Sequence, residues 1–478
     1  MKEKKIAKNY IYNLIYQMLT IILPIITTPY LSRVLGAEKI GVYGFTVSIV
    51  TYFTLIGALG ISKYGQREIA YVQDDRNKQS KIFWELNLIR LITIIIASLI
   101  FYLVFCINGE YTLYYKILLL ELFAVVFDIS WFFQGIEDFK KVVIRNTIIK
   151  LLSLICIFVF VKNENDLIKY FVIYVGSNFI GNISFWLKIN KYVDKIKIKF
   201  IDLKKHIKPM FSLFIPQIAT SVYTVLDKTM LGALESDISE VGYYEQSQKI
   251  IKIALTLVTT LSIVMMPRIS NTFAKGNDKE LNSYMKKSFK FDWFLSFPII
   301  FGIIAIAKNL VPWFYGEGYE KIVQLLMFAS PIVIFIALST TIGSQYLVSV
   351  KKQNIQTIAV VTGAILNVLL NLILIPNLKS IGAVYSTVIS EMTIAIIEIV
   401  YLFKFKKINF KSIFEGSLKY LFASLIMGII VYLLSNYIGV GVVQTLIEII
   451  VGAIIYLLIL FIMKDEFILR IKKNRRII

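Results

Sequence analysis

Residues 420–437 read YLFASLIMGIIVYLLSNY, a run of eighteen positions without a charged side chain. An α-helix of that length rises about 27 Å, close to the ~30 Å thickness of the hydrocarbon core of a bilayer. Similar runs occupy 86–107 and 442–463, where only Arg90 and Glu448 carry charge. These stretches predict helices that cross a membrane.

Composition extends this prediction to the whole chain. Of its 478 residues 57% are hydrophobic and 17% charged, whereas soluble domains are about 25% charged. The first span begins close to the N-terminus and lacks a small-residue cleavage site, which favours a retained helix over a signal peptide. We expect an all-α membrane protein with fourteen spans near 10–31, 42–62, 85–107, 116–135, 146–161, 170–187, 210–232, 246–266, 291–311, 323–349, 355–376, 382–403, 413–436 and 442–463.

The net charge of +21 would suggest nucleic-acid binding in a soluble protein, but its distribution indicates a different origin. When the gaps between spans are numbered from a cytoplasmic N-terminus, 38 of the 52 lysines and arginines fall on the inner side. Cytoplasmic loops of membrane proteins are enriched in this way. The pattern predicts a protein of the cell membrane with both termini in the cytoplasm, and it gives no support for a nucleic-acid partner.

Residues with cofactor or catalytic chemistry are scarce. Cys106 and Cys156 fall in or at the end of spans, and the single histidine, His206, is placed on a cytoplasmic loop. No Gly-x-x-x-x-Gly-Lys-[Ser/Thr] loop occurs. The predicted outer loops are also short, whereas enzymes that polymerise or modify sugars outside the cell usually need a larger outer region. We expect no metal, no cofactor and no enzymatic activity.

The longest inner connection, Lys188–Lys208, alternates apolar and basic residues. This pattern predicts an interfacial linker whose apolar side rests on lipid headgroups, and a ligand-binding role is less favoured. The predicted organisation is an N-terminal lobe of six spans, the linker, a C-terminal lobe of six spans, and a final helix pair with a basic tail. The corresponding ranges are 1–187, 188–209, 210–403 and 404–478.

A weak internal repeat supports the two lobes. Pro24 is followed by Leu35-Gly36 and then by Gly41-Val42-Tyr43. In the second half, Pro216 is followed by Leu231-Gly232 and Gly242-Tyr243. The matching spans run in the same direction, and parallel repeats of this kind typically flank a central cavity.

Four motifs resemble the Wzx-type polysaccharide repeat-unit flippases. They are SRVLGAEKIGVY at 32–43, GISKYGQREIA at 60–70, WFFQGIEDFK at 131–140 and DKTMLG at 227–232. The resemblance implies membership of the multidrug/oligosaccharidyl-lipid/polysaccharide exporter superfamily. It also implies two pseudo-symmetric six-helix lobes in a V around a cavity that opens to one side at a time.

The implied substrate is an oligosaccharide on an undecaprenyl diphosphate carrier, moved from the inner to the outer leaflet by alternating access. Other polysaccharide-assembly proteins are expected partners. The final helix pair departs from the commonest twelve-helix pattern of the family, which leaves the subfamily open.

The eighth span carries the clearest candidate binding residues. Glu245, Lys249 and Lys252 follow at i, i+4 and i+7, which places them on one helical face. The two lysines could attract a diphosphate while Glu245 moderates their charge or takes part in ion coupling. Alternatively, Glu245 and Lys249 pair and Lys252 extends to the interface.

Two further basic residues complete the predicted substrate contacts. Arg33 closes the first span, where it could hold phosphate through two parallel hydrogen bonds or only anchor the helix end. Lys228 follows Asp227 in the seventh span, and Asp227 lies on a polar stripe with Gln217, Thr220 and Thr224. Asp227 is a candidate for coupling to protons or sodium, or a structural partner for nearby lysines.

Asp128 in the fourth span and Glu391 in the twelfth are acids at membrane depth without a cation nearby in sequence. Such groups are costly in a bilayer and often functional, so both are candidates for ion coupling. Structural pairing is the alternative. Arg90, Lys150 and Lys419 lie near cytoplasmic ends and are predicted to reach the interface by snorkelling.

Three rival functions stay open. A cation-coupled multidrug antiporter shares the superfamily, and a lipid II flippase shares the fourteen-span plan. A membrane-bound polymerase or acyltransferase is the rival of a different class.

Overall fold

A computed structural model describes residues 2–196, 200–405, 413–465 and 468–469, with the side chains of 2–17, 188, 200–201, 212–213, 215–224, 263 and 405 left aside. The elements are helical throughout these ranges. The helices are α1 Lys2–Ala58, α2 Ile61–Tyr71, α3 Arg76–Phe105, α4 Thr112–Phe127, α5 Ser130–Gly135, α6 Phe139–Phe160, α7 Leu167–Ser184, α8 Lys204–Leu234, α9 Ser239–Ala274, α10 Asp278–Tyr315, α11 Lys321–Ala329, α12 Ile332–Ser339, a π-helix Thr340–Leu347, α13 Gln353–Leu378, α14 Ser380–Phe405, α15 Ser417–Ile438 and α16 Val442–Ile462. Short 3₁₀ turns lie at Glu164–Asp166, Trp186–Lys191 and Phe200–Leu203.

The all-α prediction is confirmed, and every predicted span overlaps a helix. Eleven helical segments of the described chain are long and apolar enough to cross a membrane. The first of these, Met18–Tyr71, runs through both of the first two predicted spans. The number of crossings, fourteen, and the cytoplasmic location of the termini stay predictions.

Gly36 interrupts α1 between the first two predicted spans. Its φ of 75° and ψ of 169° depart from helical geometry, although the helix continues on both sides. A side chain would be strained at this φ, whereas glycine adopts it readily. The predicted break at Leu35-Gly36 is confirmed.

The internal contacts of the chain form two compact units, Met1–Gly232 and Ala233–Ile478. α8 groups with the first unit, although the sequence assigned it to a second lobe that begins at residue 210. The predicted lobes and their arrangement around a cavity stay predictions.

Two of the motifs quoted above pack on each other inside the first unit. A side chain at Gly65 would collide with the ring of Trp131, and one at Gly135 would collide with Ile69. The glycines therefore allow α2 and α5 to approach closely. Trp131 is 1% exposed and Ile69 is fully buried, so the motifs at 60–70 and 131–140 form a structural core.

Three apolar residues of the predicted linker are buried inside the protein, whereas Ile207 is exposed, and the position of the linker at the lipid headgroups stays a prediction. Ile189, Val193 and Leu203 belong to the same buried core as Trp131 and are 4–6% exposed. Burial inside protein removes their apolar surface from water as effectively as lipid would. These linker residues are therefore part of the first unit.

In the second unit, the predicted tenth span is not one regular helix. α11 and α12 are followed directly by the π-helix, in which the backbone turn is wider than in an α-helix. α10 packs along α15 and α16: Asn309 donates to the Ser435 carbonyl, and the Tyr456 hydroxyl to the Phe294 carbonyl. The C-terminal helix pair is thus an integral part of this unit.

Candidate functional site

Asp227 lies on α8 and is only 4% exposed. The next turn of α8 contacts α1: the Thr229 hydroxyl lies 2.8 Å from Ser48 Oγ and 3.0 Å from the Tyr52 hydroxyl. Tyr52 also interacts electrostatically with Asp227. Asp227 therefore lies near a group of hydroxyls that joins α8 to α1. Its role in binding a proton or a cation stays a prediction.

The DKTMLG motif also explains how closely α8 and α1 approach. A side chain at Gly232 would collide with the ring of Phe45. Gly232 and Thr229 are three residues apart and therefore share a face of α8. Sequence reasoning selected Asp227 and Lys228 from this motif but missed Thr229, whose hydroxyl makes the contact. Gln217, Thr220 and Thr224 lie outside the described side chains.

The predicted stripe of the eighth span is present on one continuous helix, α9. Glu245 and Lys249 are half-buried, and Lys252 is exposed to its surroundings. Arg33, one turn before the break at Gly36, is also exposed, and Lys228 is half-buried. These residues belong to two separate units, so their contact with a single ligand stays a prediction.

Asp128 does not lie within a helix, as the sequence had suggested, but at the break between α4 and α5. Its Oδ1 accepts from the Ser130 backbone N–H at 3.0 Å, at the start of α5. Its backbone carbonyl accepts a short hydrogen bond from Arg90. The nearby cation that the sequence did not reveal is therefore Arg90 of α3.

The broken end of α4 is satisfied by side chains of other helices. The Arg90 guanidinium donates to the carbonyls of Asp128 and, at 3.4 Å, Val125. Asn182 Nδ2 donates to the Ala124 carbonyl at 2.8 Å, and Trp186 Nε1 donates to the Phe127 carbonyl at 2.9 Å. A helix that ends at membrane depth needs such donors, because hydrocarbon offers none.

The prediction that Arg90 snorkels is therefore wrong. Its side chain is fully buried and directed at backbone carbonyls, rather than extended towards an interface. A cation beside the C-terminal carbonyls of α4 also complements the helix dipole. Lys419 pairs with Asp465 at 3.3 Å, which gives it a defined protein partner.

His206 lies in the first turn of α8, not on a loop, and is 3% exposed. Its Nδ1 is 2.8 Å from the Tyr64 hydroxyl, and its Nε2 is 2.8 Å from Oε2 of the fully buried Glu85. Lys205 Nζ also lies 2.9 Å from Glu85. This cluster joins α8 to α2 and α3, and sequence reasoning missed it because its members are far apart along the chain.

Glu391 is 7% exposed on α14 and lies near a second buried acid of that helix, Glu398, with which it interacts electrostatically. At the start of α9, Glu240 accepts hydrogen bonds from Lys321 and from the Ser380 backbone N–H at 3.2 Å. Glu240 thereby joins the first turns of three helices. Within the described ranges no group of three or more His, Cys, Asp or Glu side chains could hold a metal ion.

Comparison with known proteins places this architecture in a family. The model of the polysaccharide biosynthesis protein family matches residues 6–273, more than half of the chain. The chain belongs to the polysaccharide biosynthesis protein family. The resemblance inferred from the four motifs is thereby confirmed. A second family model, MatE, matches residues 213–373.

Individual relatives agree with this assignment. The chain is 25% identical over 391 residues to a protein of Escherichia coli named "Putative O-antigen transporter", which covers 81% of this chain and 94% of the relative. It is also 25% identical over 195 residues to "Lipid II flippase MurJ" of Bacillus subtilis, covering 40% of this chain and 36% of that protein. These names describe transporters and flippases rather than enzymes.

Solved structures share the fold. A structure described as "Lipid II flippase MurJ, inward closed conformation" aligns with a TM-score of 0.77 at 20% identity, covering 96% of this chain and 100% of that one. An inward-facing multidrug resistance MATE family transporter aligns with a TM-score of 0.65 at 14% identity, covering 81% and 93%. The chain is a multi-pass membrane protein with the fold of these transporters.

Proposed function

We propose that the protein is a flippase that moves an oligosaccharide on an undecaprenyl diphosphate carrier from the inner to the outer leaflet of the cell membrane. The proposal rests chiefly on the family match, together with the similarity to an O-antigen transporter over 94% of that relative. The product would serve the assembly of a surface polysaccharide such as capsule, exopolysaccharide or O-antigen.

Cargo of this kind needs positive charge in the protein. Its diphosphate is anionic, and the sugar is too polar to cross hydrocarbon unaided. Arg33, Lys228, Lys249 and Lys252 are proposed to contact the diphosphate or acidic sugars. The exposed position of Lys252 and the half-buried position of Lys249 on one face of α9 support this role.

Uphill transport also needs an energy source. Asp227, Glu245, Asp128 and Glu391 are proposed to take part in ion coupling, because acids at membrane depth require a partner or a function. Asp227 has the strongest structural support, since its carboxyl is buried beside the hydroxyls that join α8 to α1. Asp128 has the weakest, because its two oxygen contacts stabilise a helix break.

The proposed mechanism is alternating access by two lobes of six spans, with fourteen spans in total and both termini in the cytoplasm. Cargo enters from the inner leaflet, the lobes move, and release follows outside. Other polysaccharide-assembly proteins are proposed to receive the product.

Deletion of the gene tests the function in cells. We expect loss of surface polymer and accumulation of undecaprenyl-diphosphate-linked oligosaccharide on the inner leaflet. Wild-type protein should restore the surface polymer and the normal level of the lipid-linked oligosaccharide, whereas Lys252→Ala and Asp227→Ala should restore neither. Lys275→Ala, which removes an exposed lysine at the end of the same helix as Lys252, is the matched control and should restore both.

A multidrug antiporter is the second candidate, because the MatE model matches residues 213–373 and a multidrug transporter shares the fold. In that case deletion would leave the polymer and its lipid-linked precursors normal and would raise sensitivity to drugs. A lipid II flippase would instead be required for growth. Each result would replace the proposed function by the corresponding one.

A further inference from the structure

Asp292 lies on α10 with only 1% of its surface exposed. α10 begins at Asp278, so the carboxyl lies about 21 Å along the helix from that end. Ser288 and Ser296 lie one helical turn before and after it and are 1% and 0% exposed. The three side chains therefore form one buried polar stripe.

This stripe packs against the π-helix. The Thr341 side chain interacts with the Asp292 carboxyl, and its Oγ1 lies 2.8 Å from Ser262 Oγ of α9. One turn further on, Gln345 Nε2 donates to Ser288 Oγ at 2.8 Å. π-Helical turns occur frequently at functional sites. Asp292, Ser288, Ser296, Thr341 and Gln345 are called the α10 polar cluster below.

Three oxygens of the α10 polar cluster have no hydrogen-bond partner among the described residues. They are Asp292 Oδ2, Ser296 Oγ and Gln345 Oε1. An ionised carboxylate and an amide carbonyl are both acceptors, so neither satisfies the other. Buried acceptors are costly unless a donor or a positive charge is supplied. Thr341, the side chain that interacts with the Asp292 carboxyl, is neutral and brings no positive charge.

The chemistry of the cluster defines what it would hold. Its atoms are oxygens of carboxylate, amide and hydroxyl groups, which suit hard cations rather than transition metals. One carboxylate contributes a single negative charge. We infer that the α10 polar cluster binds one monovalent cation, either sodium or a proton on Asp292.

The position of this site distinguishes it from the acids selected from the sequence. All its residues belong to the unit Ala233–Ile478, and they come from two neighbouring elements, α10 and the π-helix. Bound sodium would be held by both α10 and the π-helix, so its release would change the packing of these two elements. The inference does not depend on the nature of the cargo.

Binding to the purified full-length protein in detergent tests the inference. Radioactive sodium binding is measured at constant ionic strength, with choline as the replacement cation. Protonation is measured in parallel from the infrared band of a carboxylic acid as the pH is raised. Asp292→Asn removes the charge with little change in size. Asp278→Asn, at the exposed start of the same helix, is the matched control.

If the cluster is a sodium site, wild type and Asp278→Asn should bind sodium with equal affinity. The affinity of Asp292→Asn should be lower by more than about tenfold, because even the loss of an outer-shell partner lowers metal affinity by that factor. For a proton site, sodium should not bind, and a carboxylic-acid band should disappear on deprotonation in wild type and be missing in Asp292→Asn. If Asp292→Asn equals wild type in both measurements, the inference is wrong.

A variant with a smaller perturbation covers the case in which Asp292→Asn fails to fold. Ser296→Ala removes one unpartnered hydroxyl and leaves the charge in place. It should weaken sodium binding, or shift the pH at which the acid band disappears. A folded Ser296→Ala protein that is unchanged in both measurements would also overturn the inference. Neither assay uses a lipid-linked sugar, so failure here is separate from failure of the proposed function.

Discussion

Two buried acids, one in each unit, have opposite surroundings. Glu85 in the first unit is fully buried, with His206 Nε2 at 2.8 Å, Lys205 Nζ at 2.9 Å and Lys81 Nζ at 3.8 Å. Asp292 in the second unit is 1% exposed, and the side chain that interacts with its carboxyl is the neutral Thr341. Two carboxyl groups of similar burial therefore differ in their surroundings: one faces basic side chains and the other faces a neutral one.

The difference separates a structural acid from a candidate functional one. The charge of Glu85 is compensated by the protein itself, and its partners join the start of α8 to α2 and α3. The charge of Asp292 has no such compensation within the described chain. Burial alone therefore does not indicate function, whereas burial without a compensating charge does.

Removal of the Glu85 charge should lower the free energy of unfolding more than any other change described below. Glu85→Gln removes the buried negative charge that faces His206, while Lys81 and Lys205 can still reach water because their side chains are about half exposed. We expect a loss of about 3 kcal/mol in the free energy of unfolding, the lower end for a broken buried pair. Unfolding by SDS in mixed micelles measures it.

Two matched variants make this comparison quantitative. Glu68→Gln breaks only the partly exposed pair with Arg67 and should cost less than about 1 kcal/mol. Asp292→Asn should also cost less than Glu85→Gln, since it breaks no ion pair among the described residues. Equal losses for Glu85→Gln and Asp292→Asn would remove the distinction between the two acids.

The next effect concerns the break between α4 and α5. Arg90→Met keeps much of the side-chain volume but leaves the Asp128 carbonyl without the Arg90 donor, whereas the Val125 carbonyl still accepts from the Asp128 backbone N–H. We expect a loss of about 2 kcal/mol, the cost of a buried acceptor left unsatisfied. Arg90→Lys, which keeps a charged donor, should fall between wild type and Arg90→Met in the same assay. A neutral Arg90→Met would show that the break is stabilised by other contacts.

A smaller effect is expected where α8 meets α1. Thr229→Val removes the hydroxyl shared by Ser48 and Tyr52 at nearly constant volume, and should cost about 1 kcal/mol. The control is Thr51→Val, because the hydroxyl of Thr51 bonds only the Val47 carbonyl of its own helix. If both variants lose the same amount, the contact between α8 and α1 adds no stability.

The smallest effect is a pH dependence of the free energy of unfolding that comes from Glu415. This residue precedes the apolar segment Ser417–Ile438. Lys286 and Lys290 lie 2.7 and 3.3 Å from the Glu415 carboxylate and lower the pKa of Glu415 below its ordinary value of 4.5. The pair therefore adds stability above about pH 4.5, and this stability is lost as the pH falls through the lowered pKa. The pair is partly exposed, so the gain is below about 1 kcal/mol. Glu415→Gln should flatten the acid side of a stability–pH curve, and an unchanged curve would contradict this assignment.

The sequence predicted features that repeat locally. Uncharged runs such as 420–437 identified the helices, and Leu35-Gly36 identified the break in α1. It failed where partners are distant along the chain: Glu85 and His206 are separated by 121 positions, and Arg90 and Asp128 by 38. The burial of Ile189, Val193 and Leu203 could not be predicted for the same reason, since an alternating pattern fits a protein core as well as a lipid interface.

The candidate site likewise combines features that the local sequence predicts with features that depend on distant contacts. Glu245, Lys249 and Lys252 could be assigned to one face of α9 from their spacing alone. Asp292 lies in the predicted ninth span and was overlooked, although Asp128 and Glu391 were selected as acids within spans. What distinguishes Asp292 is its packing against the π-helix and the unsatisfied oxygens around it, which depend on the contact of two elements and have no local sequence pattern.

Flippase activity is measured directly as movement of an undecaprenyl-diphosphate-linked oligosaccharide across the bilayer of vesicles that contain the purified protein. The probe starts in one leaflet, and its arrival in the other is detected by a sugar-binding protein on that side. We expect movement with wild type and with Lys275→Ala, and slower movement with Lys252→Ala. Movement no faster than in protein-free vesicles, with a sodium or a proton gradient imposed in either direction, would contradict the account.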